Sequence, residues 1–178
     1  MVDRITPATT NEDIATLRAQ GVEDAWPVVC EPFDQWVIED DFCNTKPCLD
    51  LVGAQFVSDV APYEKLKLRM LNAGHSVLGL VGSVAGLETI HESVEAKQLK
   101  RLLSIFMEQE VMPTLDPVEG IDVYEYRDTL LSRFSNPFIK DTLARICLES
   151  SAKLPVFLFP TVRDNLAANR DTDMSALV

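Results

Sequence analysis

Pro62-Tyr63-Glu64-Lys65-Leu66-Lys67-Leu68-Arg69-Met70-Leu71-Asn72-Ala73-Gly74-His75-Ser76-Val77-Leu78-Gly79-Leu80-Val81-Gly82 is the stretch around which the chain is organised. Pro62 can open a helix, because the first turn has no partner for the N–H that proline lacks. At about 100° per residue, Glu64, Lys67, Asn72 and His75 fall within an arc of about 140°. Leu68, Leu71 and Leu78 lie in or beside that arc, and Leu66, Met70, Val77 and Leu80 cover much of the other side. Lys65, Arg69 and Ser76 leave only a narrow polar strip. A helix that is apolar nearly all round is usually buried. This one therefore carries a carboxylate, an amine, an amide and an imidazole into a dry place, where such groups are costly unless paired or functional. Each has an ordinary alternative. Lys67 can extend to solvent and pair with Glu64 one turn earlier, and Asn72 and His75 can be satisfied core residues. The combination on one mostly apolar helix is what favours function.

The chain has 178 residues, enough for one domain with a sizeable core. A net charge of −12 with no basic run argues against a nucleic-acid partner. No apolar run reaches the roughly 18 residues that a membrane span needs. Met1-Val2-Asp3-Arg4-Ile5 lacks the apolar core of a signal peptide, so a cytoplasmic location is expected. The four cysteines, Cys30, Cys43, Cys48 and Cys147, fit no common zinc spacing, and only His75 and His91 could assist them. Free thiols and no metal are the expectation, and a zinc enzyme ranks low.

Residues 1–10 read as the end of a strand running into a turn at Pro7. Thr10 with Asp13 has the form of a capping box for a helix through Ala19, stopped by Gly21. Residues 26–32, 33–39 and 54–60 have β-type composition. From residue 62 the chain turns helical. Helices are expected over 97–112, 123–134, 138–149 (with Pro137 at the first turn) and 161–169, with an apolar piece at 156–159 between Pro155 and Pro160. Asp171–Asp173 can cap one more helix, and a chain stopping so soon after it suggests a fragment. The fold class is mainly α, a multihelical domain with a few short N-terminal strands. Residues 1–60 form a junction with short strands and one helix, and 61–178 a helical core.

Several motifs occur in order: Val2-Asp3-Arg4-Ile5-x-Pro7; Pro27-x-x-x-Glu31-Pro32-x-x-Gln35-Trp36-Val37-Ile38-Glu39-Asp40; Val52-Gly53-Ala54-Gln55-Phe56-Val57; Tyr63-Glu64-x-x-Lys67; Lys67-x4-Asn72-x2-His75; Arg133-Phe134-x-Asn136-Pro137; Asp141-Thr142-x-x-Arg145-Ile146; and Lys153-Leu154-Pro155. Together they resemble the polyol-specific long-chain dehydrogenases, which include mannitol 2-dehydrogenase and the mannonate and altronate oxidoreductases. The likeness runs almost end to end. The family also has an N-terminal dinucleotide-binding domain with a Gly-rich turn after its first strand. Gly79, Gly82 and Gly86 do not make that pattern. The chain thus looks like the C-terminal domain of such an enzyme, without its Rossmann domain.

The resemblance implies an NAD(P)-dependent interconversion of a polyol or sugar acid and its keto form, of the mannitol/fructose or mannonate/fructuronate type, without a metal. NAD or NADP would be bound mainly by the absent domain, which is also the implied partner. Lys67 is implied as general base, and its pKa must fall for work near neutrality, which burial can do. Asn72 and His75 are implied to donate to or orient the reacting oxygen, and Glu64 to relay the proton to water. Arg145 and Lys153 match substrate-binding positions, and Asp3 is expected near cofactor and substrate at the domain junction. Without the resemblance, Arg145 reads as an ion pair with Asp141 four residues earlier, Lys153 as a loop charge and Asp3 as a turn carboxylate paired to Arg4. His91 reads as a packing residue and Glu31 as structural. The competing reading is an inactive fragment or stand-alone helical binding module that binds no nucleotide.

Overall fold

The computed structural model describes residues 1–170 of the chain. Helices dominate it, with one small sheet of β1 (Val2–Asp3), β2 (Gln35–Glu39) and β3 (Gln55–Val57) in that order. β1 lies antiparallel to β2, with Asp3 opposite Gln35, and β2 lies parallel to β3, with Val37 opposite Gln55. Val37, on the central strand, is fully buried. Residues 26–34, read from composition as largely extended, make no strand. Pro27 and Pro32 have no N–H to give a ladder. The carbonyls of Phe33 and Pro27 are taken instead by side chains, Arg4 Nε at 3.0 Å and Thr9 Oγ1 at 2.6 Å.

Helix α1 (Asn11–Ala19) begins as its sequence requires. Thr10 Oγ1 accepts from the Asp13 N–H while the Asp13 carboxylate accepts from the Thr10 N–H, so two otherwise orphaned donors are satisfied. The chain leaves it at Gly21, whose φ of 84° lies in the left-handed region that glycine tolerates.

The organising stretch is one long helix in three parts: α2 (Ala61–Lys67), a π-helical turn at Leu68–Asn72, and α3 (Ala73–Val84). The π turn is explicit in its bonding, for the Ala73 N–H donates to the Leu68 carbonyl five residues back. A second long helix has the same construction, α5 (Lys97–Ile105) followed by a π turn at Phe106–Val111. The short α4 (Ile90–Glu95) precedes it. The remaining helices are α6 (Val123–Phe134), α7 (Leu143–Cys147), α8 (Ser150–Phe157) and α9 (Phe159–Ala167). Met70, Leu78, Leu103, Phe106, Met107, Leu130 and Leu143 are buried together in one core.

Two expectations need correction. The helix read over 138–149 starts only at Leu143, and Pro137 precedes it in a turn. The reason is tertiary. Thr89 and Thr142 form an isolated antiparallel bridge, the Ile90 N–H donates to the Asp141 carbonyl, and the Leu143 N–H to the Glu88 carbonyl. Backbone groups that a longer helix needs are thereby used across the gap to α4. Pro155, read as a boundary, lies inside α8. The cap expected at Asp171–Asp173 falls outside the described residues.

Close packing brings α7 against α3. A Cβ on Gly79 would stand 2.7 Å from Ile146 Cγ2, and one on Gly82 would stand 2.8 Å from Leu143 Cδ1. A side chain at either position would force a neighbour aside, and its absence lets α7, which carries Arg145, pack directly on α3, which carries His75.

Candidate active site

The π turn decides how the polar residues of the long helix are arranged. In a regular α-helix Lys67 and Asn72, five residues apart, would point about 140° away from each other. A π turn closes i to i+5, so Asn72 comes round beneath Lys67. Glu64 precedes Lys67 by three residues and His75 follows Asn72 by three, spacings that keep neighbours on one helix face. The four residues therefore share a narrower side than α-helical geometry predicts.

His75 is buried, with its ring stacked on Phe134 at a centroid distance of 4.4 Å. Burial, then the positive charges of Arg145, Arg133 and Lys67, push its pKa down to about 3. The imidazole is thus neutral near pH 7. Lys67 is half-buried, and desolvation holds its amine below the ordinary lysine value. The Asp3 charge opposes that fall, Arg133 adds to it and Glu64 opposes it. Lys67 Nζ makes no hydrogen bond or ion pair among the described residues. Asn72 Oδ1 and His75 Nε2 are likewise buried without a partner among them. Glu64 is exposed.

Beside this face lies a buried charge cluster. Arg133, on α6, donates from Nη2 to Asp3 Oδ1 at 2.6 Å and to Glu31 Oε1 at 2.7 Å. Its Nε reaches Glu31 Oε2 at 3.0 Å and its Nη1 reaches Asp3 Oδ2 at 3.2 Å. The Tyr126 hydroxyl donates to Asp3 Oδ2 at 2.8 Å, and the Ile5 N–H donates to Glu31 Oε1. The Phe33 ring covers the guanidinium at 3.9 Å. Burial works against the Arg133 charge, but the bonds to Asp3 and Glu31 outweigh it. Burial and the Asp3 charge both raise the Tyr126 pKa, so the phenol stays a donor. Asp3 is therefore a fully buried, triply bonded carboxylate and has no bond to Arg4, which pairs with Asp34 at 3.3 Å.

Arg145 makes the ion pair with Asp141, through Nε at 2.7 Å and through Nη2. Asp141 is buried, whereas the Arg145 side chain is 39% exposed, and its Nη1 keeps no partner among the described residues. Lys153 Nζ donates to the Ile146 carbonyl at 3.2 Å, tying α8 to α7. His91 donates from Nδ1 to the Ser135 carbonyl at 2.9 Å and takes no part in the Lys67 face. A cavity of about 560 Å³ opens elsewhere, between α1, Val28, Val29 and Phe138. The described residues hold no group of three or more His, Cys, Asp or Glu placed to bind a metal. Sequence reasoning missed Arg133 and Tyr126 as the partners of Asp3. Membership of Arg133 in an ordered motif was the available signal. Its partners lie 102 and 130 residues away, so no local pattern could pair them.

Residues 59–178 match the family model described as the mannitol dehydrogenase C-terminal domain, and residues 1–51 match the mannitol dehydrogenase Rossmann domain. The chain belongs to the mannitol dehydrogenase family. A mannitol 2-dehydrogenase of Emericella nidulans is 48% identical over 92% of this chain and 34% of its own length. A mannitol dehydrogenase of Saccharomyces cerevisiae is 46% identical over 93% of this chain and 33% of its own. Among solved structures, the Pseudomonas fluorescens mannitol 2-dehydrogenase, in ternary complex with NAD and D-mannitol, superposes with a TM-score of 0.91. It is 44% identical and covers 97% of this chain and 35% of its own. A substrate-free D-sorbitol dehydrogenase gives 0.87 at 40% identity, covering 96% of this chain and 36% of its own. The chain thus spans about a third of the length of these mannitol dehydrogenase relatives. No helix among the described residues is long and apolar enough to cross a membrane.

Proposed function

We propose that this chain is the substrate-binding and proton-transfer part of an NAD(P)-dependent oxidoreductase that interconverts a polyol and its keto form, with Lys67 as general base. The observation that carries the reading is the Lys67 face itself. A half-buried amine with a lowered pKa shares it with two buried polar atoms, Asn72 Oδ1 and His75 Nε2, that have no protein partner among the described residues. Buried polar groups are nearly always bonded, and the exceptions ask for an explanation. A hydroxyl-rich substrate supplies one, since its oxygens can both donate and accept there.

In the oxidative direction Lys67 takes the hydroxyl proton as the neutral amine. Burial makes that amine available nearer neutrality than a solvated lysine would be. His75, neutral, offers one N–H donor without placing a second positive charge beside the incoming proton. Asn72, with an amide donor and acceptor, holds the reacting oxygen. Glu64, exposed one turn from Lys67, passes the proton on to water. Arg145 keeps Nη1 for a second substrate hydroxyl while Asp141 fixes its plane. Lys153 supports the same side through its bond to α7. The polyol/keto-sugar pair of mannitol and fructose is the first choice of substrate, with the mannonate/fructuronate pair next.

The reaction also needs a nicotinamide to accept a hydride. Gly79 and Gly82 do not cradle one, because the space beside them is filled by Ile146, Ser93 and Leu143. We therefore assign NAD or NADP to a nucleotide-binding domain, and take residues 1–51 as belonging to that domain and the residues from 59 on as the substrate domain. The test is polyol-dependent NADH formation by the protein that carries this chain. Wild type should oxidise D-mannitol, and Lys67→Ala should lose at least about a hundredfold in kcat, the low end of general-base contributions. A Lys67→Ala variant of near-normal rate removes Lys67 from the role of base.

A further inference from the structure

We propose that Arg133 is a positioning residue for proton transfer at Lys67: it fixes the buried Asp3 carboxylate, whose charge acts on the amine, and offsets part of that charge. This rests on Lys67 as the base. The geometry of the cluster is the first support. Arg133 Nη1 and the Tyr126 hydroxyl both donate to Asp3 Oδ2, at 3.2 and 2.8 Å, and Arg133 Nη2 donates to Asp3 Oδ1 at 2.6 Å. With both oxygens bonded, the carboxylate cannot rotate. Glu31 is held in turn by Arg133 and by the Ile5 N–H.

The location is the second support. Asp3 and Glu31 fall within residues 1–51, which match the Rossmann model, whereas Arg133 and Tyr126 fall within residues 59–178, which match the C-terminal model. One guanidinium thus joins the segment matched to the Rossmann model to the segment that carries Lys67.

Charge is the third. The groups acting on the Lys67 amine are Asp3 from β1, Arg133 from α6 and Glu64 from its own helix, while His75 nearby is uncharged near pH 7. Asp3, Glu31 and Arg133 together carry one surplus negative charge, which a protonated Lys67 neutralises. As a free base Lys67 leaves one negative charge buried there. Without Arg133 it would leave two, so proton loss from Lys67 would be opposed more strongly.

The experiment is a titration of the Lys67 side chain by carbon-detected NMR of its Cε, assigned through Lys67→Arg, in the full chain and in three variants. Arg133→Met should raise the proton affinity of Lys67 about tenfold or more, the usual scale for removing a neighbouring charge. Asp3→Asn should lower it. Arg133→Lys keeps the charge and loses the fork, so it should move Lys67 less than Arg133→Met does, and an equal shift overturns the charge role. A merely structural cluster predicts otherwise: loosened packing admits water and carries Lys67 toward the ordinary lysine value in both charge-removing variants. That common upward drift, or no movement in either, overturns the proposal. If Arg133→Met does not fold, the isosteric Asp3→Asn decides alone, and a rise or no change is fatal. A wild-type lysine titrating at its ordinary value would instead sink the assignment of Lys67 as base. A lowered wild-type value with unresponsive variants sinks only the role of Arg133.

Discussion

The Arg133 cluster and the Lys67 face are two buried polar regions with opposite degrees of satisfaction. Around Arg133, the guanidinium, two carboxylates and a phenol are joined by short bonds, and Asp3 is wholly shielded from water. On the Lys67 face the amine, Asn72 Oδ1 and His75 Nε2 find no protein partner among the described residues. Desolvation costs more at the first region, which buries three charges, than at the second, which buries neutral polar atoms and part of an amine. The return differs. The first region repays desolvation within the fold and ties the N-terminal strand to α6. The second repays nothing within the described fold, which is the pattern of a surface kept for a ligand.

That contrast can be broken by substitution, and the largest effect is expected at the satisfied cluster. Arg133→Met strands Asp3 and Glu31 in the interior, and removing one partner of a buried pair costs about 3–5 kcal/mol. A urea titration measures it, and a midpoint equal to wild type would mean the cluster is not buried as described.

Acid comes next. His75 stays neutral in the fold down to about pH 3, whereas the unfolded chain protonates it near 6.5. Between those values the unfolded state binds more protons, so stability is present above pH 6.5 and drains away as pH falls. The loss reaches about 2 kcal/mol by pH 5. His75→Phe keeps a ring against Phe134 and should flatten that slope when urea midpoints at pH 7 and pH 5 are compared. A slope unchanged by the substitution would assign the acid sensitivity elsewhere.

Gly79→Ala should cost about 1–3 kcal/mol, because the new methyl meets Ile146 across the α3–α7 contact. The same change should weaken polyol binding by shifting Arg145, and thermal melting with KM reads both. The smallest effect sharpens the comparison most. Asn72→Leu removes a buried, unpartnered amide oxygen, so it should leave the fold unharmed or add up to about 1 kcal/mol while depressing kcat. A loss of stability there would show that Asn72 is bonded within the fold.

The helical character of residues 61–84, 97–112 and 123–134 was readable in the chain, because apolar spacing and capping residues are local signals. The capping box at Thr10 and Asp13 is the cleanest example. The truncated α7 was not readable, since the bridge from Thr89 to Thr142 competes for its backbone groups over a long separation. Of the candidate site, Lys67, Asn72, His75 and Arg145 were legible through their motif spacing. Their exact phasing was not, since the π turn at Leu68–Asn72 has no distinctive residue signature and arises within the packed core.

The chain alone determines the family and the mainly helical class and nominates the residues of the candidate site, because each is written in short-range pattern and ordered motifs. Only the folded arrangement decides that Asp3 meets Arg133 rather than Arg4, that Lys67 loses proton affinity and that His75 stays uncharged. Those outcomes depend on desolvation and on charges brought together from more than a hundred residues apart. Neither quantity exists until the helices pack.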